Sequence, residues 1–385
     1  MDYKRLKTDY ELFKEHALTG RYITPAMLEP LLNKRETTLP TVLGHSVNGL
    51  PVYGLKLGHG PLKVLVWSQM HGNESTTTKA VMDLINYFYN NQAPDIFGQI
   101  TIFIIPMLNP DGALAYTRLN ANNVDLNRDA QQLSQPESQI LREAYKDFKP
   151  DYCLNLHGQR TIFGVGTPPR SAKLSFLSPA QDDSRKTTLS RKQGMGVIAA
   201  INTVLQEFIP NCVGRYDDGF NLNCVGDTLQ AMDIPTILFE AGHINGDYQR
   251  EEVRSLVFIA LIKALETIAH TPENNLNYKP YFKIPENKKC FYDYVLRRIK
   301  LPERGLTDVA IHYKERLING QVNFIPLIEN IGRLNDFHGH KEYDCHGAEG
   351  QISENRYWAV GQQLDAIELS DGKTITFAPN LADSL

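Results

Sequence analysis

Between residues 40 and 270, short apolar runs alternate with longer segments whose apolar side chains recur at helical spacing. Strands are predicted within 40–67, at 99–107, at 151–156 and at 235–239, and helices over 76–89, 136–148, 194–208 and 249–269. Two further short helices are predicted within residues 1–35, and a long polar surface loop at 165–192. This alternation indicates an α/β fold with a mostly parallel or mixed central sheet and helices on both of its faces.

The pattern changes after Pro272, where Pro, Asn and Lys cluster. Short β-prone runs then recur between turn signals, at 309–313, 322–325, 357–360 and 375–377. We therefore expect a helical lead-in over residues 1–37, an α/β domain over 38–272 and a small all-β domain over 273–385.

Charge and cysteine content limit the partners of this chain. A net charge of −4 gives no electrostatic reason to expect nucleic acid or an anionic membrane as a partner. The five cysteines are odd in number and lack Cys-x-x-Cys spacing, so neither a disulfide framework nor a thiolate zinc site is indicated. No apolar signal segment follows Met1 and no apolar run is long enough to span a bilayer, so a cytoplasmic location is predicted. The oligomeric state is not predicted.

His71 and Glu74 follow directly after the predicted buried strand at 64–67. Open α/β sheets bind ligands beyond the carboxyl ends of their strands, and Gly72 lets the turn bend there. Zn²⁺ accepts imidazole nitrogen and carboxylate oxygen, so this pair can contribute two ligands if a third comes from elsewhere. The His-x-x-Glu spacing alone is common by chance, and it gains meaning only from its context.

Polar groups end three further predicted segments of the same sheet, after 99–107, at 151–156 and at 235–239. The ordered motifs are His71-Gly72-Asn73-Glu74, Asn109-Pro110-Asp111-Gly112, Arg118-Leu119-Asn120, Asp125-Leu126-Asn127-Arg128, Leu156-His157-Gly158 and Phe239-Glu240. Over roughly residues 38–270, this order resembles the zinc metallocarboxypeptidase family typified by carboxypeptidase A. The C-terminal part of the chain lies outside the resemblance.

The resemblance implies one Zn²⁺ ion held by His71, Glu74 and His157, with a position left for water. It implies that Glu240 is the general base and that Arg118 stabilises the developing oxyanion.

Substrate binding is implied for Asn127 and Arg128, which resemble the pair that grips the terminal carboxylate of the substrate. Asp129 stands where the family commonly has Asn, which would weaken that grip. For the tyrosine that caps the substrate terminus, Tyr216 is the candidate, with Phe220 and Asn221 competing for the place.

The pocket for the substrate side chain is expected to be lined from 226–229. Within it, Asp227 would either favour a basic substrate or cap a helix.

The leading hypothesis is a metallocarboxypeptidase that cleaves an amide bond next to a carboxylate. A related alternative is an amidohydrolase of the aspartoacylase and succinylglutamate desuccinylase type, which acts on N-acyl amino acids. A third alternative is a binding protein with a decayed site. The expected partner is accordingly a peptide or an N-acyl amino acid.

Overall fold

The computed structural model describes residues 1–34, 39–90, 93–272, 275–302, 304–352 and 357–379. The strands in these ranges are β1 (Thr41–His45), β2 (Pro51–Gly58), β3 (Leu62–Ser68), β4 (Ile100–Ile105), β5 (Tyr152–Gly158), β6 (Phe163–Val165), β7 (Arg170–Ser171), β8 (Leu174–Leu177), β9 (Val213–Arg215), β10 (Thr236–Ala241), β11 (Lys288–Lys289), β12 (Phe291–Leu301), β13 (Gly305–Ile318), β14 (Gln321–Gly332), β15 (His338–Asp344), β16 (Gly350–Gln351), β17 (Ala366–Leu369) and β18 (Thr374–Thr376).

The helices are α1 (Tyr3–Thr8), α2 (Pro25–Asn33), α3 (Thr76–Tyr89), α4 (Pro94–Gln99), α5 (Pro110–Ala115), α6 (Pro136–Phe148), α7 (Leu189–Leu205), α8 (Val225–Ala231) and α9 (Glu251–His270). The helices α3 and α6 have the predicted bounds, because Pro136 starts α6 and the helical spacing of apolar residues is regular in both.

An eight-stranded mixed sheet forms the centre, in the order β1-β2-β4-β3-β5-β10-β8-β9. Its four middle strands, β4, β3, β5 and β10, run parallel, so their carboxyl ends meet at one edge. The predicted mixed α/β sheet is confirmed.

Helices cover both faces of this sheet, as predicted. On one face, α3, α7 and α9 contribute to a large apolar cluster that includes Leu84, Ile198 and Leu261. On the other face, α6 and α8 pack Leu141 and Leu229 into a second cluster. The middle strands are therefore buried on both sides, which explains their nearly uninterrupted apolar sequence.

The C-terminal residues form two further β-sheets, of four strands in the order β14-β13-β12-β15 and of three strands in the order β16-β17-β18. A separate apolar cluster that includes Leu296, Ile311 and Phe377 lies between them. The β-rich character predicted for this part of the chain is confirmed.

Two of the predicted elements are wrong. The expected surface loop at 165–192 contains β7, β8 and the start of α7, and Leu174 and Phe176 are fully buried. β8 joins the central sheet by pairing antiparallel with β10. The β-prone run at 357–360 forms no strand, and Tyr357 and Val360 are exposed.

The predicted domain limits at 37/38 and 272/273 involve residues 35–38 and 273–274, which lie outside the described residues, so these limits stay predictions. Among the described helices, none combines the length and the apolar character needed to cross a bilayer.

Candidate active site

The turn after β3 carries His71 and Glu74. It packs so closely on the start of α5 that a Cβ at Gly72 would lie 1.9 Å from the backbone carbon of Gly112. Glycine is therefore required at position 72, and the turn is held in one place. In this turn, His71 Nδ1 lies 2.9 Å from Glu74 Oε1.

His157 reaches the same point from the end of β5. Its Nδ1 lies 3.1 Å from His71 Nδ1 and 3.0 Å from Glu74 Oε2. The backbone N–H of Gly158 donates to Glu74 Oε2 over 2.9 Å. One ligand atom from each of the three residues falls within 4.8 Å of the other two, and no other group of metal-binding side chains in the described ranges does so.

This cluster fits a zinc ion. Two nitrogens bound tetrahedrally at 2.0–2.1 Å are about 3.3 Å apart, close to the separation of the two Nδ1 atoms. Without an ion, two imidazole nitrogens and a buried carboxylate are left to bond one another. In His157 it is Nδ1 that faces the other two residues, whereas Nε2 is buried without a hydrogen-bond partner among the described residues. The donor set of two imidazoles and one carboxylate is the set used by zinc hydrolases.

Asp125 and Arg118 surround the cluster. Asp125 Oδ1 lies 3.0 Å from His71 Nε2, which leaves Nδ1 of the same ring to face Glu74 and His157. Arg118 donates from Nε to Asp125 Oδ2 over 3.1 Å and from Nη1 to Glu74 Oε1 over 3.3 Å. Asp125 belongs to a motif that the sequence singled out, yet its contact with His71 was not predicted.

The cluster residues perturb each other's protonation. Burial opposes a charged imidazole, but the charge of Glu74 and hydrogen bonds to Asp125 and Glu74 raise the pKa of His71 to about 9. Burial likewise opposes ionisation of Glu74, but His71 and His157 hold the pKa of this carboxyl well below its usual value. The site therefore favours negative charge on Glu74, as a metal ligand requires.

Glu240 lies beside the cluster on β10, where it is paired in register with His157 on the parallel strand β5. Its carboxyl has no hydrogen-bond partner among the described side chains and backbone groups, and it lines the cavity in front of the cluster. Burial, and then the charge of Glu74, raise the pKa of Glu240 well above its usual value. A carboxyl of raised pKa can both accept and return a proton near neutral pH.

Arg250 joins the two strand ends that carry Glu240 and His157. The guanidinium donates from Nη1 to the carbonyl oxygen of Ala241 over 2.6 Å and from Nη2 to that of Gln159 over 2.9 Å. Arg250 is buried, and no sequence motif pointed to it.

Asn127 and Arg128 lie in the turn that follows Asp125. Asn127 Oδ1 accepts from the backbone N–H of Val225, at the start of α8. The Arg128 side chain donates to the carbonyl of Asn127 and makes no ion pair with a described carboxylate, so it is available to a ligand in the cavity.

Asp129 faces away from this cavity. Its carboxylate accepts from the backbone N–H groups of Ser134 and Gln135 at 3.0 Å each. The Asp129 carboxylate therefore stabilises the neighbouring turn at Ser134 and Gln135.

Tyr216 also lines the cavity, and its hydroxyl donates to Gln159 Oε1 over 2.9 Å. Burial, followed by the charges of Glu240 and Glu74, raises the pKa of Tyr216, so the phenol stays protonated. Gln159, two residues after His157, was not predicted.

Asp227 lies in the first turn of α8, where its Oδ1 accepts from the backbone N–H of Asn221 over 3.2 Å. It lines the same cavity, and burial raises its pKa to about 6. The N-cap residue of α8 is Cys224 and Asp227 bonds the preceding turn, so the helix-capping interpretation is wrong, whereas the side chain does border the cavity.

Known proteins resemble this chain in sequence. Residues 31–191 match the model of a protein family described as zinc carboxypeptidase. Carboxypeptidase SOL1 of Arabidopsis thaliana is 27% identical over 200 residues, which cover 45% of this chain and 41% of that protein. Carboxypeptidase 2 of Trichophyton rubrum is 30% identical over 99 residues, which cover 25% of this chain and 18% of that protein. The chain thus spans less than half the length of these relatives.

Solved structures share the fold. A putative carboxypeptidase A from Shewanella denitrificans superposes with a TM-score of 0.52 at 17% identity, over 63% of this chain and 68% of the other. Carboxypeptidase A from Helicoverpa armigera gives a TM-score of 0.51 at 16% identity, over 70% and 80%.

The fold is that of carboxypeptidases of known structure, and a candidate metal site lies at the carboxyl ends of its middle strands. Residues 31–191, less than half of the chain, are thus similar to the zinc carboxypeptidase family.

Proposed function

We propose that this protein is a zinc-dependent carboxypeptidase that releases the C-terminal residue of a peptide, with one ion per chain. The observation that carries the proposal is the convergence of His71, Glu74 and His157, with the Glu240 carboxyl free beside them.

The three ligand residues would hold the ion through His71 Nδ1, His157 Nδ1 and the Glu74 carboxylate. A zinc ion bound in this way lowers the pKa of a bound water to about 7 and polarises a carbonyl group. Glu240 would accept the proton of the attacking water and return it to the leaving amine, for which its raised pKa suits it.

Arg118 would face the oxygen on which negative charge develops, because its guanidinium already lies within hydrogen-bonding distance of Glu74. Arg128, which makes no ion pair with a described residue, would grip the terminal carboxylate through its planar fork. Asn127 would position it, and Tyr216 would cover the substrate end from the opposite side of the cavity. These roles rest on the family pattern and on the shared cavity.

The other two hypotheses are not favoured. The family match is to carboxypeptidases rather than to hydrolases of N-acyl amino acids. A decayed site would not be expected to keep three ligands, an uncommitted carboxyl and an uncommitted guanidinium together.

A cytoplasmic location stays a prediction. It is supported by the five cysteines, all of which are free thiols, as is usual in a reducing compartment. Fractionation of cells that produce the full-length protein would test it.

The test of function combines metal analysis with product identification. Purified protein should contain about one zinc per chain, and it should release single residues from peptides with free C-termini but not from the same peptides with amidated ends. Release from both sets, or cleavage only of N-acyl amino acids, would contradict the proposal.

A further inference from the structure

A single cavity of about 870 Å³ extends from the metal cluster to the C-terminal part of the chain. His157 and Glu240 line it on one side, and Lys314, Leu327 and Glu329, from β13 and β14, line it on the other. A volume of this size accommodates a small ligand or a short peptide. The four-stranded sheet therefore forms one wall of the cavity that contains the proposed metal site, and we call this part of it, on β13 and β14, the β13–β14 wall.

Charged contacts anchor this wall at β13. Arg21 Nη1 lies 3.0 Å from Glu315 Oε1, and the hydroxyl of Tyr116 donates to Glu315 Oε2 over 2.5 Å. Arg21 is buried, so this ion pair is largely shielded from water. Glu315 thus links the C-terminal sheet to two separate parts of the preceding chain.

A second anchor lies on β12 and β15. The hydroxyl of Tyr248 donates to Asp293 Oδ1 over 2.9 Å, and His312 Nδ1 lies 2.8 Å from Asp293 Oδ2. On β15, His340 Nε2 lies 2.8 Å from the carbonyl oxygen of Thr161, four residues after His157. Anchors at both positions hold the sheet in a fixed position relative to the metal cluster.

The contacts also indicate which half of a substrate meets the wall. Of the pair proposed to bind the terminal carboxylate, Asn127 and Arg128, Asn127 accepts from the backbone N–H of Val225 at the start of α8. The anchors of the wall are instead made with Arg21, Tyr116, Tyr248 and Thr161, and no described hydrogen bond or ion pair joins the wall to α8. A peptide with its terminal carboxylate at Arg128 would extend past the metal towards the wall.

Glu329 has an unusual place in this wall. Ala310 pairs with Asn330 and the next residue, Ile311, pairs with Ile328, so Glu329 is the extra residue of a β-bulge. Bulges occur next to active sites, where they redirect a side chain. Glu329 is exposed and forms no ion pair with a described residue, so its charge is free to meet a ligand.

We propose that the β13–β14 wall binds the residues on the N-terminal side of the scissile bond, and that Glu329 selects a cationic group there. Lys314, also exposed and without a described ion pair, would favour an anionic group at another position. Leu327 would contact an apolar part of the substrate between them. This inference rests on the proposed function and assigns part of its specificity to the C-terminal sheet.

The test uses the full-length zinc protein and peptides with a common C-terminal residue. Each peptide carries Lys or Glu at one of the three positions before that residue. For the wild type, we expect the Lys peptide to be preferred at one of these positions. Glu329→Lys should lower the Lys-to-Glu ratio of kcat/KM there about tenfold, mainly through KM. Lys314→Glu should raise the Lys-to-Glu ratio of kcat/KM at the substrate position that contacts residue 314.

The matched control is Glu368→Lys, because Glu368 is an exposed glutamate of β17 that does not line the cavity. Glu368→Lys should have the same ratios as the wild type. A substrate too short to reach the wall should be cleaved equally well by the wild type and by every variant. Unchanged ratios at all three positions in Glu329→Lys, with activity retained, would overturn the inference alone. If the wild-type protein cleaves no peptide, the proposed function fails and the inference fails with it.

Discussion

His71 Nε2 lies 3.0 Å from Asp125 Oδ1, so the imidazole is oriented with its other nitrogen, Nδ1, towards Glu74 and His157. A carboxylate in this position fixes the tautomer and the direction of a metal-binding ring. Asp125 in turn accepts from Arg118 and from the backbone N–H of Asn127. One carboxylate therefore contacts a proposed ligand, the arginine proposed to stabilise the oxyanion, and the turn that carries Asn127.

Asp125→Asn is expected to weaken zinc binding about 10- to 100-fold, because it removes the charge that holds the His71 ring. Competition with a chelator would measure this loss. Asp336→Asn, at an exposed position of the C-terminal part, is the matched control and should leave the affinity unchanged. Equal affinities for both variants would contradict the orienting role of Asp125.

Glu240→Gln is expected to lower kcat about 10²- to 10⁴-fold, since the amide cannot accept the proton of the attacking water. The zinc content should stay at the wild-type value, because Glu240 is not among the three clustered ligands. Metal analysis and steady-state kinetics on the same preparation separate the two effects. Undiminished turnover with zinc retained would remove Glu240 from its proposed role.

Arg128→Met is expected to lower kcat/KM for peptides with free C-termini about 10- to 100-fold, which corresponds to about 1.4–2.8 kcal/mol. The loss should appear mainly in KM, because the guanidinium would bind a group that does not react. Arg333→Met, at an exposed position outside the cavity, is the control. The same loss in both variants would point to a general effect of charge.

The preference for basic C-terminal residues should depend on pH through Asp227. Burial raises the pKa of Asp227 to about 6, so its carboxyl is mainly neutral at pH 5 and mainly ionised at pH 7. The ratio of kcat/KM for peptides ending in Lys and in Leu should therefore rise between these pH values. In Asp227→Asn the ratio should not change with pH. A wild-type ratio that is also constant would exclude Asp227 from substrate recognition.

Glu315→Gln is expected to destabilise the protein by about 1–3 kcal/mol, because the buried Arg21 would lose its charged partner. Denaturant unfolding would measure the change in the free energy of unfolding. Glu368→Gln, at an exposed position of β17, should change it by less than about 0.5 kcal/mol. An equal effect of the two substitutions would show that the Arg21–Glu315 pair contributes little.

Much of the central fold could be predicted from local patterns. The helices α3 and α6 follow from the spacing of their apolar residues, and the middle strands follow from their apolar runs. β8 could not be predicted in the same way, because it is four residues long and lies within a polar stretch. Its position in the sheet depends on pairing with β10, about sixty residues later in the chain, which periodicity does not reveal.

The candidate site, like the fold, could be predicted only in part from the sequence. His71 and Glu74 follow β3 and His157 lies near the end of β5. Strand ends of a parallel sheet meet, so the approach of His71 and His157 could be inferred from the sequence. The contribution of Lys314 and Glu329 to the cavity could not be inferred from the sequence. It depends on how the C-terminal sheet packs against distant residues such as Arg21 and Thr161. The bulge at Glu329 is visible only once strand register is known.

The two bonds of Arg250, to the carbonyl oxygens of Ala241 and Gln159, have a consequence for how this site tolerates change. A guanidinium is flat and rigid, so it fixes the separation of the two carbonyl oxygens that it bonds. Lysine has a single nitrogen on a flexible stem and could not bridge both carbonyls at the same spacing. Replacement of Arg250 would therefore loosen the two strand ends that carry the proposed base, Glu240, and the proposed ligand His157.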